Sequence, residues 1–221
     1  MRFAPEGLPF IGGALVLSLV LWGAGSYQGG GSGWRVAFAL AAAATLFTTW
    51  FFRDPDPRTP EGAGLVVSPG QGKIIDIREM DEPAYMGGRA RRITIFLNVF
   101  DVHVQRSPVD GTVEYRHYKP GTYAVAWLEK ASEDNEQASL GIRTPSGKVL
   151  VRQIAGLVAR RIVTDQHEGE DVSRGQRIGL IRFGSRVDLF IPLDWEVTTE
   201  VGARVIVGRT VLARQPSGDP S

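Results

Sequence analysis

Cysteine is absent from all 221 residues, which excludes disulfides, thiolate catalysis and cysteine-ligated metal or iron–sulfur sites. Histidine is nearly absent: His103, His117 and His167 are scattered, so no zinc site and no metal is expected. Charge is missing from two long stretches, between Glu6 and Arg35 and again between Arg35 and Arg53. An excess of either sign is missing too. The 25 basic and 24 acidic residues leave a net charge of +1, which offers no argument for nucleic acid as a partner.

The uncharged stretches are rich in apolar residues. Residues 8–24 are apolar apart from Ser18, and 36–52 apart from three threonines. A run of this length makes a helix of roughly 25 Å, a little short of the hydrocarbon core unless its flanks join in. Trp22, Trp34 and Trp50 stand near the ends, where indoles favour the interface, and Arg35 and Arg53 can snorkel. The connector 25–33 is uncharged and glycine-rich, suited to a tight hairpin. A cleaved signal peptide would explain the first run alone, but a second run follows at once. The reading is therefore an anchor over residues 1–52, with transmembrane helices at about 8–25 and 34–52. Arg2, Arg53 and Arg58 place both ends in the cytoplasm, and with them the remainder of the chain.

Residues 53–64 hold Pro55, Pro57 and Pro60 among alternating charges, the composition of an extended, semi-rigid linker. From Leu65 the pattern changes to short β-rich runs at 65–67, 73–79, 91–100, 112–118, 122–128, 139–144, 148–154, 177–183, 187–191, 203–207 and 210–213. Gly, Pro and Asp separate them, which predicts a mainly β sandwich or barrel over 65–214. The stretch 131–137 reads as a short acidic helix or, by default, a solvated connector. The polar tail 215–221 is expected to be disordered.

A weak internal repeat runs through the β region. Ser68-Pro69-Gly70-Gln71-Gly72-Lys73-Ile74 echoes Ser107-Pro108-Val109-Asp110-Gly111-Thr112-Val113. The segments 172–178 and 205–211 share a Val-x-x-Gly-x-x-aliphatic spacing. Such hairpins resemble those of lipoyl- and biotinyl-like β-barrels, although the lysine that carrier domains modify is not evident here.

One stretch carries the strongest chemical signal. In Gly184-Ser185-Arg186-Val187-Asp188-Leu189-Phe190-Ile191-Pro192, an alternating strand ends at Pro192 and opens on a Gly-Ser pair. By itself such a pair is most simply a turn whose hydroxyl caps the backbone. The run Phe183-Gly184-Ser185-Arg186-Val187-Asp188, with its proline four residues on, resembles the cleavage site of the short, bacterial and archaeal form of phosphatidylserine decarboxylase. The stretches Phe51-Phe52-Arg53-Asp54-Pro55, Asn98-Val99-Phe100-Asp101-Val102-His103-Val104, Ser107-Pro108-Val109-Asp110-Gly111-Thr112-Val113 and 153–163 resemble the same family, in the family's order.

That resemblance implies a membrane enzyme of the bacterial inner membrane, working on its cytoplasmic face. It would cut itself between Gly184 and Ser185, and Ser185 would become a covalent pyruvoyl group, the enzyme's only cofactor. The substrate implied is phosphatidylserine in the membrane, the product phosphatidylethanolamine, and the partners are the large and small chains of one precursor. Homo-oligomerisation is left open. His103 is the implied proton donor, and the alternation Asp101-Val102-His103-Val104 is read as a strand with Asp101 and His103 on one face. Five arginines, 89, 91, 92, 160 and 161, are available for a lipid phosphate but are not assigned to it.

The chain departs from the family's pattern at two positions. Family members usually read Pro-Ala-Asp-Gly where this chain has Pro69-Gly70-Gln71-Gly72, so an amide replaces a carboxylate assigned to self-processing. Long-form enzymes carry a second histidine where Arg106 stands. Glutamine orients but takes up no proton at neutral pH, which leaves the processing base unassigned and Asp110, in the sister turn, as a substitute. Gln71 is also what supports the alternative, an uncleaved and inactive lipoyl-like binding module.

Overall fold

The computed structural model describes residues 2–121, 135–156, 162–182 and 185–216, with Ser185 described by its backbone. Two compact units divide the chain, Met1–Asp56 and Pro57–Ser221. The run expected as a strand at 122–128, the tail 217–221, and Phe183 and Gly184 of the cleavage motif lie outside the described residues.

The first unit is an antiparallel helical hairpin. A 3-10 turn, Pro5–Gly7, leads into α1 (Leu8–Tyr27), and α2 (Ser32–Phe51) returns alongside it. Each helix has 20 residues, about 30 Å at 1.5 Å per residue, so the flanks do join in and each span matches the hydrocarbon thickness. The connector correspondingly shrinks to the four residues between them. Apolar side chains such as Leu15, Leu19, Trp22, Leu40 and Leu46 point outward, whereas Ser18 is buried between the helices. Ser18 Oγ meets Thr45 Oγ1 at 3.0 Å across the hairpin and also donates to the Ala14 carbonyl, leaving no bare hydroxyl toward an apolar surrounding. The open ends are tied together: β1 (Arg2–Phe3) pairs antiparallel with β2 (Arg53–Asp54), and Phe10 stacks on Phe52. Arg53 lies over the Trp50 ring and donates to the Trp50 carbonyl at 2.8 Å, a cation held at a helix end where the last carbonyls need partners.

The second unit is all β among the described residues. Its strands are β3 (Leu65–Val67), β4 (Gly72–Glu82), β5 (Gly88–Leu97), β6 (Val104–Arg106), β7 (Gly111–Lys119), β8 (Gln137–Thr144) and β9 (Gly147–Ala155). They continue with β10 (Ile162–Thr164), β11 (Asp171–Val172), β12 (Arg177–Ile181), β13 (Ser185–Ile191), β14 (Glu196–Val197), β15 (Arg204–Val205) and β16 (Val211–Arg214). A curled sheet of order β11-β7-β8-β9-β13-β5-β4-β15 forms a half-barrel, and two small sheets, β10-β12-β6 and β14-β16-β3, complete the unit. The hydrophobic alternation explains the curl. Ile93, Ile95 and Leu97 of β5, Val187, Leu189 and Ile191 of β13, and Val149 and Val151 of β9 share one face and fill one core with Val109, Val113, Ile178 and Leu212. A smaller cluster of Tyr85, Ala90, Leu150 and Phe190 covers part of the other face, so β13 is buried on both sides.

The internal repeat is a structural one. Ser68 and Ser107 each donate Oγ to the carbonyl two residues on, at 2.6 Å, closing matching turns. The turns then bond reciprocally, Val67 N–H to the Pro108 carbonyl and Arg106 N–H to the Pro69 carbonyl. Each also takes the sister segment as partner, because Gly208 N–H donates to the Ser68 carbonyl and Gly175 N–H to the Ser107 carbonyl. Gly175 and Gly208 both have positive φ, +81° and +66°. The proline-rich segment crosses over them: a Cβ at Gly208 would sit 2.9 Å from Pro57 Cγ, and one at Gly175 would strike Thr59 Oγ1. Glycine is required at both for two reasons, the left-handed backbone and the close approach.

Candidate active site

Ser185 begins β13, the strand with a full-length partner on each side. It sits opposite Leu97 of β5 and Ala155 of β9, and pairing continues to Ile191 on the β5 side and Phe190 on the β9 side. Strand pairing thus holds the position of Ser185 in register from its first residue. Directly after it, Arg186 and Asp188 make a bidentate pair, Nε to Oδ1 and Nη2 to Oδ2 at 2.7 Å each, with side-chain exposures of 3% and 1%. Burying either charge alone would cost several kcal/mol, so the two hold each other in place and fix the start of the strand.

His103 is fully buried, at 0% exposure. Its surroundings correct the expectation of a strand: β5 stops at Leu97, and residues 98–103 form a turn and loop before β6. The cause is a set of local side-chain bonds that compete with the ladder. Asn98 N–H donates to Asp101 Oδ2 at 3.0 Å, Phe100 N–H to Asn98 Oδ1 at 2.8 Å, and Asp101 N–H to the Asn98 carbonyl at 3.0 Å. His103 meets Asp101 through the main chain instead of a shared strand face, with Nδ1 3.0 Å from the Asp101 carbonyl oxygen. A carbonyl oxygen only accepts, so that contact places the hydrogen of the neutral ring on Nδ1. The His103 carbonyl accepts the Ile181 N–H at 3.1 Å, and Ile181 lies four residues before Ser185. The tertiary structure therefore brings His103 to the root of the segment that carries the Gly184-Ser185 bond.

Gln71 stands in the turn between Gly70 and Gly72. A Cβ at Gly70 would touch Val187 Cγ2 and Leu97 Cδ1, and one at Gly72 would run into the Phe96 carbonyl, so this turn packs on the Ser185 end of β5 and β13. Asp110 does not stand in for it. Its Oδ1 accepts the Arg174 N–H at 2.9 Å, beside Thr112 and Arg143, and Arg143 pairs with Lys148 at the far end of β9 from Ala155. Arg106 is engaged as well, donating Nη1 to the Gly175 carbonyl at 3.0 Å; a guanidinium gives hydrogen bonds but accepts no proton.

Other groups around the site were not identifiable from sequence. Asn135 and Glu136, in the stretch read as a solvated connector, are buried. Asn135 Nδ2 donates to the Ala155 carbonyl at 2.7 Å, and Glu136 Oε1 accepts from Tyr118 Oη at 3.0 Å and Ile162 N–H at 3.3 Å. Deeper in the core Gln153 Nε2 donates to Gln105 Oε1 at 2.9 Å, joining β9 to β6. The only signal in the chain was the opposite charges at 186 and 188, two apart in an otherwise apolar strand. Arg89, Arg91 and Arg92 point elsewhere, to Glu79 and Asp76 along the β4–β5 ladder. Among the described residues no cluster of His, Asp and Glu has metal-binding geometry.

Fold and site define a mainly β half-barrel protein, preceded in the chain by an apolar helical hairpin, in which Ser185 is the first residue of a strand paired on both sides. A family model for phosphatidylserine decarboxylase matches residues 44–213. The chain is 47% identical over 218 residues to the phosphatidylserine decarboxylase proenzyme of Symbiobacterium thermophilum, covering 96% of this chain and 95% of that one. It is 47% identical to the proenzyme of Salinibacter ruber, covering 83% of each, and 46% identical to that of Azorhizobium caulinodans, covering 94% and 87%. The chain belongs to the phosphatidylserine decarboxylase family, and it is a decarboxylase.

Proposed function

We propose that this chain decarboxylates phosphatidylserine to phosphatidylethanolamine, as a step of phospholipid biosynthesis, with a pyruvoyl group made from its own Ser185. The observation that carries the reading is the place of Ser185, first residue of a strand paired on both sides, with His103 bonded to Ile181 just upstream. In processing, the Ser185 hydroxyl oxygen bonds to the Gly184 carbonyl carbon, the C–N bond breaks, and the amine takes the proton. Loss of the Ser185 α-proton then expels the Gly184 carboxylate, and water replaces the resulting enamine nitrogen, which leaves as ammonia.

The residues present fit such a group. Its chain stays bound after the cut because β13 is zipped to β5 and β9, β16 to β3 and β15 to β4, with Trp195 and Leu212 buried in the same core. The pyruvoyl ketone supplies the electron sink for loss of carbon dioxide. His103 Nε2 delivers the proton that replaces it. The intact mass of purified active protein is the test: two chains, 1–184 and 185–221, the smaller lacking a free amine at its start. A single uncut chain in an active preparation overturns the pyruvoyl reading, and a single uncut chain without activity favours the uncleaved module.

The hairpin is placed in the bacterial inner membrane with both ends and the β unit on the cytoplasmic side. Supporting this are the arginines at 2, 53 and 58, the uncharged connector and the β1–β2 pairing that holds the two open ends together. In a chain without cysteine, Ser32→Cys is expected to react with an impermeant thiol reagent on intact cells and Ser217→Cys is not; labelling at 217 overturns the orientation.

A further inference from the structure

The β unit carries few large apolar side chains on its surface. Among its described residues these are Phe100, Tyr118, Val201 and Ile206, and three of the four stand together. Phe100 is at the tip of the 98–101 turn, with 66% of its surface exposed. Asp101, the residue after it, accepts from Arg204 Nη2 at 2.8 Å, and Arg204 lies two residues from Ile206 (47% exposed) and three from Val201 (57%). Scattered exposed apolar residues are ordinary, but these are grouped and rigidly held. Ile206 closes a turn by accepting the Arg209 and Thr210 N–H groups, at 3.1 and 3.0 Å, while Thr210 Oγ1 accepts the Ile206 N–H at 2.9 Å. Val201 sits on a turn pinned by Gly202 N–H to the Ile74 carbonyl, 2.8 Å. The turn under Phe100 is fixed by the Asn98 and Asp101 bonds described above. Arg204 and Ile206 alternate with buried Val205 and Val207, so both face outward, and the cations Lys73, Arg204 and Arg209 are exposed there beside exposed Glu200 and the buried Asp101 that pairs with Arg204.

Two further observations say what this rim meets. It adjoins the end of the sheet where Ser185 stands, since Gly72 pairs with Val205 and packs on Phe96, and Leu97 is the partner of Ser185. It is also where the chain enters the unit. Pro57, which packs on Gly208, comes six residues after α2 ends at Phe51, a reach of at most about 20 Å. We propose that Phe100, Val201 and Ile206, flanked by Lys73, Arg204 and Arg209, form a docking rim that dips into the headgroup region of an anionic bilayer and sets the Ser185 end of the barrel against it. Aromatic and aliphatic tips with basic neighbours suit that interface, the rings and chains entering the acyl boundary and the cations meeting lipid phosphate. The proposal rests on the lipid-substrate reading above, and its test separates the two.

The full processed chain, reconstituted in vesicles of zwitterionic and anionic phospholipid, is spin-labelled at single cysteines replacing Phe100, Val201 or Ile206. Ser146→Cys, in the exposed β8–β9 turn, is the control. Labels on the rim are expected to relax with oxygen and be shielded from an aqueous nickel chelate, and the label at 146 to do the opposite. Equal access of the chelate to rim and control overturns the proposal. In a second arm, the double variant Phe100→Ser/Ile206→Ser is expected to lose about tenfold in kcat/KM on vesicle substrate, while staying within about twofold on detergent-dispersed substrate. An equal loss in detergent assigns these residues to the site or the fold and also overturns it. A parent chain with no decarboxylation whose rim labels lie in lipid counts against the catalytic reading and leaves the rim standing.

Discussion

Ser185→Ala is expected to yield one uncut chain of 221 residues with no decarboxylation above background. Alanine has neither the oxygen that attacks the Gly184 carbonyl nor a β-leaving group whose elimination leads to a ketone, so both processing and activity go together. The fold is expected to survive. The substitution falls at the first position of β13, opposite Leu97 and Ala155, and the backbone pairing that holds the strand is untouched. Circular dichroism and thermal unfolding in the same detergent as the parent check this. An active Ser185→Ala protein, or one still cut at this bond, overturns the assignment of the pyruvoyl group.

The two steps are expected to separate when His103 and Gln71 are changed. Processing needs a group that takes the serine proton and later the α-proton, whereas decarboxylation needs a finished ketone and a proton donor. His103→Ala is expected to leave cutting largely intact and to lower turnover per small chain by about 10²–10⁴-fold, the range of a positioned acid–base group. Gln71→Asp is expected to speed cutting of newly made chain and to change turnover little, because a carboxylate in the turn packed on Leu97 and Val187 can take up a proton where the amide cannot. A time course of cutting, run beside lipid decarboxylation normalised to small-chain content, reads both. Blocked cutting in His103→Ala puts His103 in the processing step and overturns this division, and an unchanged cutting rate in Gln71→Asp shows that the processing base lies elsewhere.

Arg186 and Asp188 illustrate what periodicity leaves undetermined. The alternation along 185–191 locates the strand and its core face, yet nothing in it says that the opposite face is buried too, because that depends on which strands and loops lie against it. The same holds for Asn135 and Glu136. Their composition matches a solvated connector, and only the carbonyl of Ala155 and the N–H of Ile162 make them interior. The loop at 98–103 departs from the predicted strand for a more local reason: bonds from nearby N–H groups to the Asn98 and Asp101 side chains end β5 at Leu97, and a two-residue period does not register them.

By itself the sequence determined the two apolar helices, since the long uncharged runs on either side of Arg35 are a property of the chain and need no partner. It determined most of the longer strands and the Gly-Ser bond at the head of β13 in the same way, by alternation and by glycine. Tertiary structure alone decided that the sister turns at 68 and 107 bond to each other, that the Gln71 turn rests against β13 while Asp110 stands at the far end of β9, and that His103 reaches Ile181. Those are pairings between residues far apart in the chain. Side-chain period records which face a residue belongs to, and the choice of partner across that face is made only when the sheet curls and the core closes.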